Sequence, residues 1–211
     1  MRYVLLLALA ACAGKVPETR YYQLAAPSQA AQPGDASIQP SVEPSVAIEP
    51  LSADGAYDDE RIVYRVTPYR LDYYNYHRWS APPGTMLSNY LQDAFSRSGR
   101  FRAVVHEPTE SVPVTLGGRV IAIEEVDRSK TRWVGRIAVE LTLTDTITNK
   151  VLWSQRFDET EPLREQTPEG LARALSAAMA RITRRALPAV ADIAVTAQRA
   201  ALQGPRAAVQ P

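Results

Sequence analysis

Between residues 133 and 144 the chain alternates, with Gly135, Ile137, Val139, Leu141 and Leu143 on one side and Arg136, Ala138, Glu140, Thr142 and Thr144 on the other. A period of two predicts a strand with one buried face. Val112 to Val126 predicts its antiparallel partner across a turn at Asp127-Arg128-Ser129-Lys130. After a second turn at Asp145 to Lys150, Val151, Trp153 and Phe157 continue this meander as a third strand. Shorter apolar runs predict strands at Tyr21 to Leu24, Val46 to Leu51 (with Pro50 marking an end or an edge), Arg61 to Val66, and Phe101 to Val105.

Two segments change to a helical period. Met86, Leu87, Tyr90, Leu91, Ala94 and Phe95 recur at spacings of three and four behind Ser80-Ala81-Pro82-Pro83, with Gly99 as the stop. Ser80 is the expected cap, since its side chain could take an unpaired amide of the first turn. Thr167-Pro168-Glu169 opens the second helix, whose buried stripe is Leu171, Leu175, Ala178, Met179 and Ile182. Arg173, Arg181, Arg184 and Arg185 are expected on its solvated face, and Pro188 is expected to end or kink it. A strand, helix and strand from Tyr69 to Val105 permit a right-handed crossover, hence at least one parallel pair. The predicted fold is α/β: a single domain with a mixed, largely antiparallel sheet of about five to six strands and two main helices packed on it.

The first residues, MRYVLLLALAACAGK, place Arg2 before an apolar run from Val4 to Ala11. That run falls short of the roughly 20 residues a transmembrane helix needs and suits an export signal. Leu9-Ala10-Ala11-Cys12 resembles the bacterial lipobox, so residues 1–11 are expected to be removed and Cys12 to receive a lipid. The competing reading is a small buried thiol in a core helix. With acyl chains contributing about 0.8 kcal/mol per buried methylene, such an anchor holds the protein at a membrane. Ala13 follows the cysteine where an Asp would favour inner-membrane retention, so the outer membrane is favoured. The expected organisation is therefore a signal over 1–11, a lipidated segment over 12–20, a domain over 21–187 and a helical or disordered tail over 188–211. Residues 25–44, rich in Ala, Pro, Ser and Gln, form a linker or, preferably, an excursion within that domain.

Composition adds mainly exclusions. The chain has 211 residues, 45% hydrophobic and 22% charged, enough for one core. Twenty-four basic against 23 acidic residues leave a formal net charge of +1, with no broad field for nucleic acid. Cys12 is the only cysteine, so no intramolecular disulfide forms. His77 and His106 lack ligand neighbours at metal spacing, and Gly117-Gly118 lies inside a strand pattern rather than a phosphate loop. Ser80 and Ser88 are not in a nucleophile elbow. Asp58-Asp59 and Glu124-Glu125 read as turn and strand-edge charges. A non-enzymatic protein is expected, with no metal and no cofactor beyond the covalent lipid on Cys12.

The densest aromatic segment is Tyr69 to Trp79, with Tyr73, Tyr74 and Tyr76 between them. Either one strand packs alternate rings on a sheet, or the rings form an exposed binding surface. Tyr73, Tyr76 and Trp79 are the candidate partner contacts.

Tyr21-Tyr22-Gln23-Leu24 soon after the lipid cysteine, Val46-Ala47-Ile48, and Arg61-Ile62-Val63-Tyr64-Arg65 are followed by His77-Arg78-Trp79-Ser80-Ala81-Pro82 and Lys150-Val151-Leu152-Trp153-Ser154. In this order the chain resembles the ABC-type transport auxiliary lipoprotein family over roughly residues 21–187. It departs from that pattern in the loop from Ala53 to Asp59, the long linker and the extension after Pro188. The resemblance implies a non-catalytic subunit of a lipid-handling system made of an ABC ATPase, a permease and an MCE-type substrate-binding protein. It allows a homo-oligomeric ring of subunits. Two other readings stay open: a lipoprotein cofactor of cell-wall synthesis or outer-membrane assembly, and a small lipid carrier with a closed apolar cavity.

Overall fold

A computed structural model of the chain describes residues 17–26 and 43–203. Cys12, the lipobox residues Leu9, Ala10 and Ala11, most of the 25–44 excursion and the end of the tail lie outside the described residues. In chain order the elements are β1 (Arg20–Tyr22), β2 (Ser45–Ile48), β3 (Ser52–Ala53), β4 (Arg61–Thr67), β5 (Arg70–Trp79) and α1 (Pro83–Arg97). They continue as β6 (Ala103–Val105), β7 (Val114–Ser129), β8 (Arg132–Asp145), β9 (Val151–Pro162) and α2 (Pro168–Leu202).

The long strand β7 organises the sheet. One edge pairs antiparallel with β8, which pairs antiparallel with β9. The other edge takes three short parallel segments in succession, β2 at Val114 to Leu116, β3 at Arg119 and Val120, and β4 at Glu124 to Val126. Outside these lie β6 on β2 and β5 on β4, with β1 on β5. Among the described residues the result is one mixed sheet of nine strands in an α/β domain. The strand predicted over Val46 to Leu51 stops at Ile48, shortly before Pro50, which has no amide for a ladder, and β3 follows beyond the predicted run. The parallel partner of β6 is β2 rather than the aromatic strand. The β7–β8 turn is tighter than predicted, because the strands run through Asp127 to Ser129 and resume at Arg132.

Both helices pack against this sheet. Helix α1 begins at Pro83 with Pro82 as its cap residue and no side-chain cap. Ser80, the expected cap, instead donates its amide to the Tyr22 carbonyl at 2.7 Å, which joins the end of β5 to β1. Gly99, at φ +68°, lies just past the helix end, where a left-handed residue is needed. Helix α1 lies so close to the β2–β3 junction that a Cβ on Gly84 would stand 2.0 Å from the Leu51 carbonyl oxygen. Ser88 Oγ accepts the Leu51 amide at 2.8 Å on the same helix face. Gly84→Ala is therefore expected to destabilise the fold by about 1–3 kcal/mol through overpacking, measured by denaturant unfolding. An unchanged midpoint would contradict this close approach.

Helix α2 starts as expected, with Thr167 Oγ1 accepting the Gly170 amide at 3.0 Å. Pro188 does not end it. Ile182, Ala186, Val190 and Ala194, spaced by four, are all buried on the stripe that begins with Leu171 and Leu175, so packing holds the helix together to Leu202. The 188–202 segment thus continues the helix, with Val190 and Ala194 buried. Nor do all the helix arginines face solvent freely. Arg181 donates to Glu159 and Glu161 at 3.0 and 2.8 Å, and Arg185 to Glu159 at 2.6 Å, tying α2 to β9.

Candidate partner-binding surface

The aromatic strand β5 is not regular. Arg61 and Val63 of β4 are separated by one residue, yet their partners Arg78 and Tyr73 on β5 are separated by four, so Tyr74 to His77 bulge from the ladder. A bulge re-aims the side chains on either side of it. Trp79, an expected contact, is turned inward and is 0% exposed in the core. Its place is in packing, which corrects its assignment to an exposed surface. Tyr73 is half-buried, with the Arg61 guanidinium carbon 3.9 Å from its ring centre. Tyr76 lies on the bulge and is 44% exposed.

Tyr21 on β1, opposite Arg78, is exposed beside this region, while Tyr69, at the β4–β5 turn where β5 begins, is 97% exposed at the other end of the strand. Strand β1 covers β5 only from His77 to Trp79. Among the described residues the outer edge of Arg70 to Tyr76 is unpaired, leaving backbone groups beside Tyr76. The bulge is held from within. Tyr22 Oη stands 2.8 Å from His77 Nδ1, and the Tyr74 ring meets Tyr64 and His77 edge-on at 5.3 and 5.7 Å. Burial, with Arg20 adding to it, holds the His77 imidazole below its ordinary pKa.

Beneath this surface lie two adjacent buried carboxylates, contrary to their expected place at a strand edge. Glu124 and Glu125 are 0% and 1% exposed. Their environments differ because neighbouring residues of a strand face opposite sides. Glu124 Oε2 accepts from Tyr57 Oη at 2.7 Å and Arg65 Nε at 3.0 Å, while Oε1 accepts from Arg136 at 3.0 Å. Arg136 also grips Asp158 through two nitrogens, at 2.9 and 2.7 Å. One carboxylate thus ties together β4, β7, β8, β9 and the turn around Tyr57. Burial first, then the hydrogen bond to Glu124, pushes the Tyr57 hydroxyl up to about 12.

Glu125 has no salt-bridge partner among the described residues. Tyr74 Oη lies 3.0 and 3.2 Å from its two carboxylate oxygens. Burial pushes its pKa up to about 7, and burial likewise raises neighbouring Asp127. The Tyr74 hydroxyl is raised by burial and then by Glu125. Glu125 therefore positions Tyr74, and Tyr74 positions the bulge that carries Tyr76. The sequence signal was weak, since the partners of each glutamate come from other strands.

Among the described residues no group of His, Cys, Asp and Glu is placed to hold a metal, and no helix is long and apolar enough to cross a membrane. A cleft of about 400 Å³ between the end of β1 and α1 is lined by Leu24, Met86 and Tyr90 together with Asn89, Asp93 and Arg97. It is open and of mixed polarity, unlike the closed apolar cavity of a carrier.

Residues 22–186 match the family model described as ABC-type transport auxiliary lipoprotein component. In fold the chain is similar to the crystal structure of XCC0632 from Xanthomonas campestris, of family DUF330. The identity is 21% and the TM-score 0.65, over 88% of this chain and 97% of that one. It is also similar to the crystal structure of an uncharacterized protein, at 13% identity and TM-score 0.65 over 82% and 99% of the two chains. The hypothetical protein CT253 from Chlamydia trachomatis has a TM-score of 0.49 at 10% identity, over 73% and 98%. No curated protein matches the chain.

Proposed function

The chain belongs to the ABC-type transport auxiliary lipoprotein component family, and on that premise we propose that it is the non-catalytic, lipid-anchored subunit of an envelope transporter of phospholipid or another hydrophobic compound. Its partners in this reading are an MCE-type substrate-binding protein, an ABC permease and an ATPase. The lipid on Cys12 fixes it to a membrane facing the periplasm, the outer membrane being favoured by Ala13. A homo-oligomeric ring would repeat its contact surface around the substrate-binding protein. The observation that carries the partner contact is the β5 bulge, where Tyr76 stands exposed and Tyr73 is stacked by Arg61. Rings supply large contact area at low entropic cost.

A photo-crosslinking residue at Tyr76 is expected to capture the substrate-binding protein in intact cells, whereas one at Val151, exposed on β9, is not. Tyr76→Ala is expected to lower recovery of that partner about 5- to 30-fold, the effect of losing one central aromatic contact. Its unfolding midpoint should not change, because the ring is not in the core. Equal capture from both positions would remove the support for this surface.

A further inference from the structure

The geometry points to a second surface: the end of the sheet holding the β4–β5 and β7–β8 turns lies on the anionic headgroups of the bilayer that carries the chain's own anchor. This rests on the reading of Cys12 as the lipidated residue. Strand β1 runs parallel to β5, with Arg20 opposite His77. The chain therefore enters β1 from the side where β5 begins, next to Tyr69. Cys12 precedes Arg20 by eight residues, a reach of at most about 28 Å. The same eight-residue step leads back along β5 from His77 to Tyr69, about 26 Å of strand. A lipid on Cys12 thus reaches a bilayer touching the Tyr69 turn with little slack. Turning the opposite end of the sheet to the bilayer would require the chain to reverse before β1.

The chemistry of that end fits the same occupant. Strand β4 is parallel to β7 and antiparallel to β5, so the β4–β5 turn and the β7–β8 turn project together. The loop after β9 joins them, with the Leu163 amide on the Trp133 carbonyl at 2.9 Å and Gln166 Nε2 on the Lys130 carbonyl at 3.4 Å. Tyr69 is 97% exposed at the tip. Arg128, Lys130, Arg132 and Arg164 are all exposed there, with no salt-bridge partner among the described residues. Most acids at this end are already engaged, Asp72 with Arg70, Glu165 and Glu169 with Arg173, and Glu161 with Arg181; half-buried Asp127 forms no salt bridge among the described residues, so the four free cations outnumber it. Uncompensated cations around an amphipathic ring match an anionic interface, where the charges face phosphates and the ring sits at headgroup depth.

The test uses the full chain, acylated in cells and reconstituted into vesicles of phosphatidylcholine with or without phosphatidylglycerol. An environment-sensitive label is attached at Tyr69→Cys or, at the opposite end, at Ile147→Cys, which is also exposed. The expected result is quenching of the label at 69 by nitroxide lipids, stronger with phosphatidylglycerol, and none at 147. The triple variant Arg128→Glu, Lys130→Glu, Arg132→Glu should lower the lipid-contacting fraction about ten-fold or more. Mass spectrometry of the same samples separates the two readings. An acylated chain whose label at 69 stays in water, or is buried against a second copy without lipid quenching, overturns the orientation and leaves the anchor standing. A chain with no acyl mass on Cys12 overturns both.

Discussion

Glu124→Ala is expected to lower the free energy of unfolding by about 3–5 kcal/mol, the usual effect of removing one member of a buried ion network. The carboxylate has no exposed surface and satisfies Tyr57, Arg65 and Arg136 at once. Without it the Tyr57 hydroxyl and two half-buried guanidiniums face each other across a cavity. Replacing a buried network wholly by apolar side chains can be neutral, so the loss comes from the stranded partners. Arg136 keeps Asp158 and stays partly solvated, which places the expectation toward the lower end. Denaturant unfolding measures it. A loss below about 1 kcal/mol, the range of a surface pair, would show that Glu124 does not tie these strands together.

The second large effect is a pH dependence centred on Glu125. Its carboxyl has a pKa of about 7 in the folded chain, against 4.5 for an unburied one, with burial the main cause. Between those values the folded state binds more protons than the unfolded state, so stability falls as pH rises. It is fully present below about 4.5 and lost by about 7, with a total near 3 kcal/mol. Asp59, Asp145 and Asp158 act in the opposite sense, since hydrogen bonds from Arg61, Thr148 and Arg136 respectively hold them below the ordinary value. They withdraw stability as pH falls through the acid range, and His77, held below its ordinary value by burial, withdraws it as pH falls below about 6.5, whereas Asp127, raised by burial, acts in the same sense as Glu125. Glu125→Gln keeps the shape and the contact to Tyr74 but cannot ionise. Unfolding at about pH 5 should be nearly unchanged in that variant, while at about pH 8 it should be more stable than the parent by about 2–3 kcal/mol. A parent profile flat across this range, or a variant equally destabilised at both ends, would contradict the buried, unpaired state of this carboxyl.

These two glutamates also mark where sequence reading stops. The β7–β8–β9 meander was legible because period-two alternation is a local property, and both helices were legible from spacings of three and four. The short strands were legible as apolar runs but not in their pairing, since three of them share one edge of β7 through contacts distant in sequence. Pro188 does not end α2, because its backbone preference is local, whereas Val190 and Ala194 are held by tertiary packing. The same limit applies to the candidate surface. The aromatic content of β5 was plain, but a bulge of four residues against one decides which rings face outward, and it sent Trp79 to the core and left Tyr76 exposed. Glu124-Glu125 looked like edge charge because single-sequence reading cannot see Arg65, Arg136 and Tyr57 converging on one of them and Tyr74 on the other.

The most direct test of a role in an ABC-type transport system is affinity purification of the full-length chain from its own membranes in mild detergent, with identification of the proteins retained. Recovery of an MCE-domain protein with its permease and ATPase is the expected result. Recovery of wall synthases or outer-membrane assembly proteins, with no transporter subunit, would contradict it while leaving the fold and the anchor unaffected.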